Sequence, residues 1–245
     1  MDGRVLVVGG AVEEDSLDSC EIYDPTLDRW TSSAPFCTAR YDHAATLLPD
    51  GSVLIAGGTK GANPNPVLSS TEIFSPRKET WHAGQPLDAP RHRVKFIRLP
   101  DGRTILFGSA AAPLAYEPAA GTWEKLSALQ VLRVAGFTIS ASSVGRVILS
   151  GGALHTGEPT TRVDICDPVE NSWSDAEDMV TARTEHEAVT LADGSGLLVT
   201  GGYHRVPVPP SSPFAPGKKV QLVRSTKVQS RGDSIIPRFP TSNRP

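Results

Sequence analysis

Short apolar runs ending in paired glycines recur along the chain: Val5-Leu6-Val7-Val8 before Gly9-Gly10, Val53-Leu54-Ile55-Ala56 before Gly57-Gly58, Val147-Ile148-Leu149-Ser150 before Gly151-Gly152, and Leu197-Leu198-Val199-Thr200 before Gly201-Gly202. A degenerate copy, Ile105-Leu106-Phe107, leads to Gly108-Ser109. Runs this short, rich in valine, isoleucine and leucine and bounded by Gly, Pro and Asp, predict buried strands; none has the length of an amphipathic helix. Asp-Gly precedes most of them, at Asp2-Gly3, Asp50-Gly51, Asp101-Gly102 and Asp193-Gly194. That dipeptide favours positive φ angles and predicts a two-residue type I′ hairpin. The strand before the hairpin is read at 44–48, 95–99, 136–139 and 188–191, and a third strand at 20–23, 71–74 and 163–166.

A fixed frame follows the third strand: an acid or a stand-in, proline, four residues, tryptophan. It reads Asp24-Pro25 to Trp30, Ser75-Pro76 to Trp81, Glu117-Pro118 to Trp123 and Asp167-Pro168 to Trp173, and it contains every tryptophan of the chain. Ten residues after each tryptophan stands an arginine: Arg40, Arg91, Arg133 and Arg183. A frame recurring in register marks one supersecondary unit copied along the chain. With the tryptophan on a fourth strand, the unit is the four-stranded blade of an all-β propeller.

The paired glycines after an apolar run, the Tyr23-Asp24-Pro25 turn and the tryptophan downstream resemble kelch repeats. The second positions of successive pairs, 10, 58, 109, 152 and 202, are spaced by 48, 51, 43 and 50 residues, near the ~50-residue kelch period. The resemblance covers roughly residues 2 to 204 and weakens only in the third repeat, where Ser109 replaces the second glycine. It implies a kelch-type propeller, with a central-domain architecture like that of galactose oxidase among its relatives. The Leu-Pro-Asp-Gly turns at Leu48 and Leu99 resemble those of large secreted or surface kelch proteins of bacteria, which leans towards a secreted or cell-surface parent protein.

Counting strands from the channel outward, the sequence starts at strand two of one blade, runs through three complete blades and reaches strand two of a fifth. About four to four and a half blades is an incomplete ring. Its open sheet edges and blade faces make the isolated monomer marginal and raise the expectation of self-association. The propeller segment is read as 1–206 and the remainder, 207–245, as a basic, proline-rich, disordered tail. Residues 203–245 hold eight Lys or Arg against one acid, or +7, and the preceding residues hold 16 against 26, or −10, for a net −3. For the tail three readings stand: a disordered extension, a strand through Lys219 to Val223, or sequence from a truncated or frame-shifted gene.

Composition is that of an ordinary globular protein, with no apolar run near the ~20 residues of a membrane span. No signal segment opens the given sequence, and any such segment would lie upstream of the first blade. Three cysteines, Cys20, Cys37 and Cys166, lack metal-ligand spacing, and Cys166 takes the slot of Tyr23 and Phe74 as a small buried residue. No cofactor, metal or nucleic acid is expected, and no phosphate loop, nucleophile elbow or His-Glu-x-x-His stretch is present.

Function is expected on the loop face. The Asp-Gly and Asp-Pro turns make one plain face, while the strand two-to-three connections at 11–19, 59–70, 110–113 and 153–162 vary freely on the other. Variable loops on a repeated scaffold are where binding is built. Those loops carry Glu13, Glu14, Asp15, Lys60, Asn63, Asn65, His155 and Glu158, the alternative being that they are simply solvated. Arg40, Arg91, Arg133 and Arg183 stand where they could ring the channel mouth as an anion-attracting rim, or else bond neighbouring carbonyls in every blade. His43 and His186 follow their arginines by three residues, a slot filled elsewhere by Val94 and Gly136.

The resulting expectation is a binding module for a protein or glycan. Its alternative is part of a carbohydrate-active propeller enzyme or of a copper-radical oxidase. Such oxidases use two tyrosines, two histidines and a tyrosine-linked cysteine. Tyr41, His43, Tyr203 and His204 are the local candidates for those roles, without a clear motif match.

Overall fold

The computed structural model describes residues 3–13, 15–36, 38–61, 66–108, 111–191 and 196–204, with the backbone of 215–216 and 221–224. The described residues form antiparallel strands and no helix. Blade 1 contains β1 (Val5–Val8), a small hairpin of β2 (Ala11–Val12) and β3 (Asp15–Ser16), then β4 (Cys20–Asp24) and β5 (Arg29–Ser33). Its main sheet is three-stranded, in the order β1-β4-β5. Blade 2 is β6 (Ala44–Leu47), β7 (Val53–Ala56), β8 (Thr71–Ser75) and β9 (Thr80–Ala83). Blade 3 is β10 (Lys95–Arg98), β11 (Thr104–Phe107), β12 (Leu114–Glu117) and β13 (Thr122–Lys125). Blade 4 is β14 (Thr138–Ala141), β15 (Val147–Ser150), β16 (Val163–Asp167) and β17 (Ser172–Asp175). Each of these three is a four-stranded meander in sequence order. A fifth sheet pairs β18 (Thr184–Thr190) with β19 (Gly196–His204). It also takes β20 (Ala215–Pro216) and β21 (Gln221–Arg224) onto β19. Among the described residues the first sheet has no innermost strand and no strand of the last sheet supplies one, so the propeller ring is open.

β21 occupies the third-strand place of the fifth sheet. Val199 pairs with Gln221 there, as Ile55 pairs with Glu72 and Leu149 with Asp164 in blades 2 and 4. The rest of 205–245 lies outside the described residues.

The hairpins before the glycine runs differ from the expected type I′ form. Leu48 N–H donates to the Ser52 carbonyl at 2.8 Å and Gly51 N–H to the Leu48 carbonyl at 3.0 Å, so three residues, Pro49, Asp50 and Gly51, make the loop. Leu99 and Arg103, and Ser142 and Arg146, close the same loop in blades 3 and 4. Only the glycine is left-handed, at φ 87° for Gly51, 91° for Gly102 and 78° for Gly145. The physical reason is proline at the first loop position of blades 2 and 3, whose φ near −65° suits a type I turn and forbids type I′. Asp193-Gly194 lies outside the described residues.

The Asp-Pro frame also has a local cause. The Asp24 carboxylate accepts from the Thr26 and Leu27 amides at 2.8 and 3.2 Å, and Asp167 does the same for Val169 and Glu170 at 3.1 and 3.2 Å. The residue before the last strand is left-handed in all four blades: Asp28, Glu79, Gly121 and Asn171, at φ 47°, 53°, 67° and 48°. A turn of fixed length fixes the register. The tryptophan therefore always lands opposite the same position: Tyr23↔Trp30, Phe74↔Trp81, Tyr116↔Trp123 and Cys166↔Trp173. In the first three blades the two rings touch at 5.2, 5.0 and 4.8 Å between centroids. In blade 4 the smaller, buried Cys166 takes the aromatic slot, and burial pushes its thiol up to about 12. Cys20 is likewise buried, its thiol pushed up to about 11; Cys37 lies outside the described residues.

The core sits in the seams between blades. Ile55 and Trp81 of blade 2 pack on Cys20 and Phe36 of blade 1. Leu149 and Phe137 of blade 4 pack on Phe107 and Leu126 of blade 3, and Leu197 and Val199 of blade 5 on Ile148 and Met179 of blade 4. The first three seams are also locked by an indole N–H. Trp81 donates to the Ala34 carbonyl at 3.0 Å, Trp123 to Gln85 at 2.9 Å and Trp173 to Ser127 at 2.8 Å.

Candidate functional site

The frame arginines are seam elements. Their relative exposures are 0% for Arg40, 1% for Arg91, 3% for Arg133 and 2% for Arg183, so none lines a solvent-facing rim. Arg40, Arg91 and Arg183 reach both ways. The Arg40 carbonyl accepts from Gly10 of blade 1 at 3.0 Å, while its guanidinium donates to the Gly57 carbonyl at 2.7 Å and to Glu72 at 2.7 Å in blade 2. Arg91 and Arg183 accept at their carbonyls from Gly58 and Gly152, both at 2.7 Å. Forward, Arg91 donates to the Ala112 carbonyl and Arg183 to the Gly201 carbonyl, also at 2.7 Å. Arg133 pairs with Asp164. The acid four residues before the frame proline, Glu72 or Asp164, is the usual partner. Blade 3 has Leu114 there, and Arg91 instead pairs with Asp88 at 2.7 Å. Burial depresses the pKa of Arg133, opposed by Asp164, and that of Arg183.

The histidine slot belongs to the same seams. His43 Cε1 stands 3.0 Å and His186 Cε1 2.6 Å from the ideal β-carbon positions of Gly9 and Gly151, the first glycines of the preceding blades. His186 Nε2 lies 3.1 Å from both Thr138 Oγ1 and Ser150 Oγ. Burial, reinforced by the neighbouring Arg40 or Arg183, lowers each histidine to about 4. In blade 4 the slot falls to Phe137, one residue later than its count from Arg133 places it. Phe137 Cβ faces Gly152 as His43 Cβ faces Gly58. Gly136, at φ 63°, absorbs the extra residue.

On the loop face, Glu13 and Asp15 are exposed at the tip of the β2–β3 hairpin, with Glu13 left-handed at φ 55°. Lys60 is exposed on the adjoining loop of blade 2, joined to that hairpin by the Gly61 amide donating to Ser16 Oγ at 2.9 Å. His155, exposed, and Glu158, half-buried, share a tight turn in blade 4, where the Leu154 amide donates to the Glu158 carbonyl at 2.9 Å. The structure thus joins blades 1 and 2 at Ser16 and Gly61, beside Asp15 and Lys60, and places His155 and Glu158 two blades on from Lys60. Glu14, Asn63 and Asn65 lie outside the described residues.

Three residues that sequence reasoning missed complete this face. Asp42, Arg93 and Glu185 each stand two residues after a frame arginine, at the start of an innermost strand. They are exposed and left-handed, at φ 55°, 50° and 53°. Asp42 and Arg93 approach to 3.8 Å across adjacent blades. Non-glycine residues held in that region cost about 1–3 kcal/mol each, and here the repeat fixes the conformation at one position of successive blades. The signal was present in the sequence as a charged residue at one frame position in three of four repeats.

The opposite face carries an open groove of about 310 Å³ between the turns of blades 2 and 3, lined by Asp50, Asp101, Arg103 and Glu117 among others. Its charges are satisfied locally: Asp50 accepts from Ser52 Oγ at 2.6 Å, which lowers its pKa, and Arg103 pairs with Asp101 at 2.8 Å. Tyr41 and His43 belong to blade 2, Tyr203 and His204 to blade 5. No group of three or more His, Cys, Asp or Glu is placed to hold a metal ion among the described residues.

Residues 1–36 and 40–87, the strands of blades 1 and 2, match the Kelch motif. The first two blades of the chain are kelch repeats. It is 28% identical over 208 residues to Kelch-like protein 38 of Mus musculus, across 81% of this chain and 34% of that one. To Kelch-like protein 25 of Xenopus tropicalis it is 26% identical over 216 residues, 82% of this chain and 35% of that one. An F-box/kelch-repeat protein of Arabidopsis thaliana is 27% identical over 128 residues, 51% and 33% of the two chains. The chain thus spans about a third of the length of these curated relatives. A solved structure, that of YjhT, shares the fold with a TM-score of 0.64 at 13% identity, over 81% of this chain and 72% of that one.

Proposed function

We propose that this kelch-repeat chain is a protein-interaction module, a segment of a larger propeller, that meets its partner through the variable-loop face. The carrying observation is the charged rim: Asp42, Arg93 and Glu185, exposed and left-handed at one repeated position. The buried frame arginines are committed to the scaffold, so the rim and the loops around Asp15, Lys60, His155 and Glu158 are what the face offers a partner. The relatives' kelch-like character supports a protein rather than a small molecule as the occupant.

The test compares two neutralised proteins. Asp42→Asn, Arg93→Gln and Glu185→Gln together remove the rim charges; Asp101→Asn, Arg103→Gln and Glu117→Gln remove those of the turn-face groove. With each protein immobilised and cell extract passed over it, quantitative mass spectrometry of the retained proteins should show a partner lost by at least about tenfold on the rim triple alone. Loss on the groove triple with retention on the rim triple would overturn the proposal.

A further inference from the structure

The turn-face groove lies between two complete blades, and a break in the repeat leaves one hydroxyl beneath it without a partner. In blade 1 the Tyr23 hydroxyl donates at 2.7 Å to Asp28, the left-handed residue of its own turn. Blades 2 and 4 carry no hydroxyl in that slot, which Phe74 and Cys166 fill. Blade 3 again has a tyrosine, Tyr116, but Gly121 stands in the place of Asp28 and has no side chain to accept the bond. Tyr116 is 2% exposed, its ring packed on Leu48 and Leu54 of blade 2. Its oxygen lies 3.8 Å from the ideal β-carbon position of Gly121 and makes no hydrogen bond among the described residues. Burial and then the charge of Asp50 raise its pKa, so the Asp50 carboxylate is close enough to act on it. The hydroxyl therefore ends between the two walls of the groove, the 48–50 segment of blade 2 and the 117–119 turn of blade 3. A buried polar group without a protein partner calls for another one.

The groove lining carries three carboxylates, Asp50, Asp101 and Glu117, against one guanidinium, Arg103. Asp101 is engaged by Arg103 through its Oδ2. The bonds that hold the other two acids within their own turns use one oxygen of each. Asp50 accepts from the Ser52 amide and hydroxyl at Oδ1, and Glu117 accepts from the Ala119 amide at Oε1. Asp50 Oδ2 and Glu117 Oε2 remain open to a donor. Pro49 and Pro118 add apolar surface on the two walls.

We propose that this groove binds a small organic cation, an amidinium, guanidinium or primary ammonium on an apolar body of one ring. Its N–H groups donate to Asp50, Glu117 and the Tyr116 hydroxyl, and its body rests on Pro49 and Pro118. The charge balance selects the cation, because an anion would be repelled and a neutral ligand would desolvate two carboxylates without compensating them. The volume of about 310 Å³ is at the small end of organic-ligand sites and suits one ring. The groove is on the face opposite the rim and takes a small ligand, so its failure leaves the loop-face reading standing.

Titration of the full ¹⁵N-labelled chain with benzamidine at low salt, followed by NMR at the Gly102, Arg103 and Ala119 amides, tests the proposal. Those resonances should shift saturably, and benzamide, the neutral isostere, should bind at least about tenfold more weakly. Tyr116→Phe installs the residue that blade 2 already holds as Phe74, and Glu117→Gln alters an exposed side chain. Each variant should keep the wild-type unfolding midpoint and weaken benzamidine binding by about tenfold. Benzamide binding as tightly as benzamidine, an affinity that both variants leave unchanged, or no saturable shift would each overturn the proposal. So would tighter binding of N-acetyl-argininamide than of benzamidine, which would give the groove to an arginine side chain of a protein.

Discussion

The Arg91 carbonyl oxygen lies 2.5 Å from where a β-carbon on Gly57 would stand. The same oxygen accepts the Gly58 amide at 2.7 Å. In blades 1, 2 and 4 the first glycine of the pair is therefore fixed by a neighbouring blade's backbone as well as by its own left-handed φ, 64° at Gly57. Gly57→Ala should destabilise the protein by about 3 kcal/mol or more. Gly51→Ala, with φ 87° but nothing within 4 Å, should cost about 1 kcal/mol. Urea unfolding of the two variants side by side checks the difference.

The indole N–H of Trp173 reaches the Ser127 carbonyl, while the ring of Trp30 faces solvent. Trp173→Phe should lower stability by about 1 kcal/mol or more through the lost bond and poorer fit. Trp30→Phe should stay within about 0.5 kcal/mol. Equal losses at the two sites would mean that the tryptophans serve their own blades rather than the seams.

Arg40 and Glu72 form a buried pair, with side-chain exposures of 0% and 4%. Glu72→Gln leaves the guanidinium charge uncompensated and should cost about 3 kcal/mol. Asp88, 34% exposed beside Arg91, is reached by water, so Asp88→Asn should cost about 1 kcal/mol or less. Thermal unfolding of both variants at neutral pH measures the contrast.

His43 and His186 are neutral in the folded chain down to about pH 4 and titrate near 6.5 when unfolded. Between those values the unfolded state binds more protons, so stability falls as the pH drops from 6.5 towards 4 and is level above 6.5. Each histidine contributes roughly 1–3 kcal/mol to that slope. His43→Val, which installs the residue blade 3 already uses as Val94, should remove about half of it. An unchanged slope in that variant would contradict the assignment.

Strands, blades and their order were legible because the glycine pairs and the Pro-to-Trp frame repeat in register, and a repeat reports a shared backbone. What escaped depends on neighbours the sequence does not display. Pro49 and Pro100 convert an apparent Asp-Gly type I′ hairpin into a three-residue loop. The extra residue at Gly136 shifts Phe137 into the histidine slot. Arg40 and its equivalents resemble surface charges until the next blade's carbonyls and acids are in place around them. The loop residues Lys60 and His155 could be placed on a face but not relative to each other. The rim of Asp42, Arg93 and Glu185 depends on a left-handed φ that no residue type there announces.

Site-specific photo-crosslinking in living cells bears most directly on the claim that the variable-loop face binds a protein. The photoreactive residue is placed singly at Lys60, His155 or Glu185 on that face, and at Arg103 or Ala119 on the turn face. Crosslinks to one common protein from the first three positions and none from the last two are the predicted result. A crosslinked partner that appears only from Arg103 or Ala119 would contradict it.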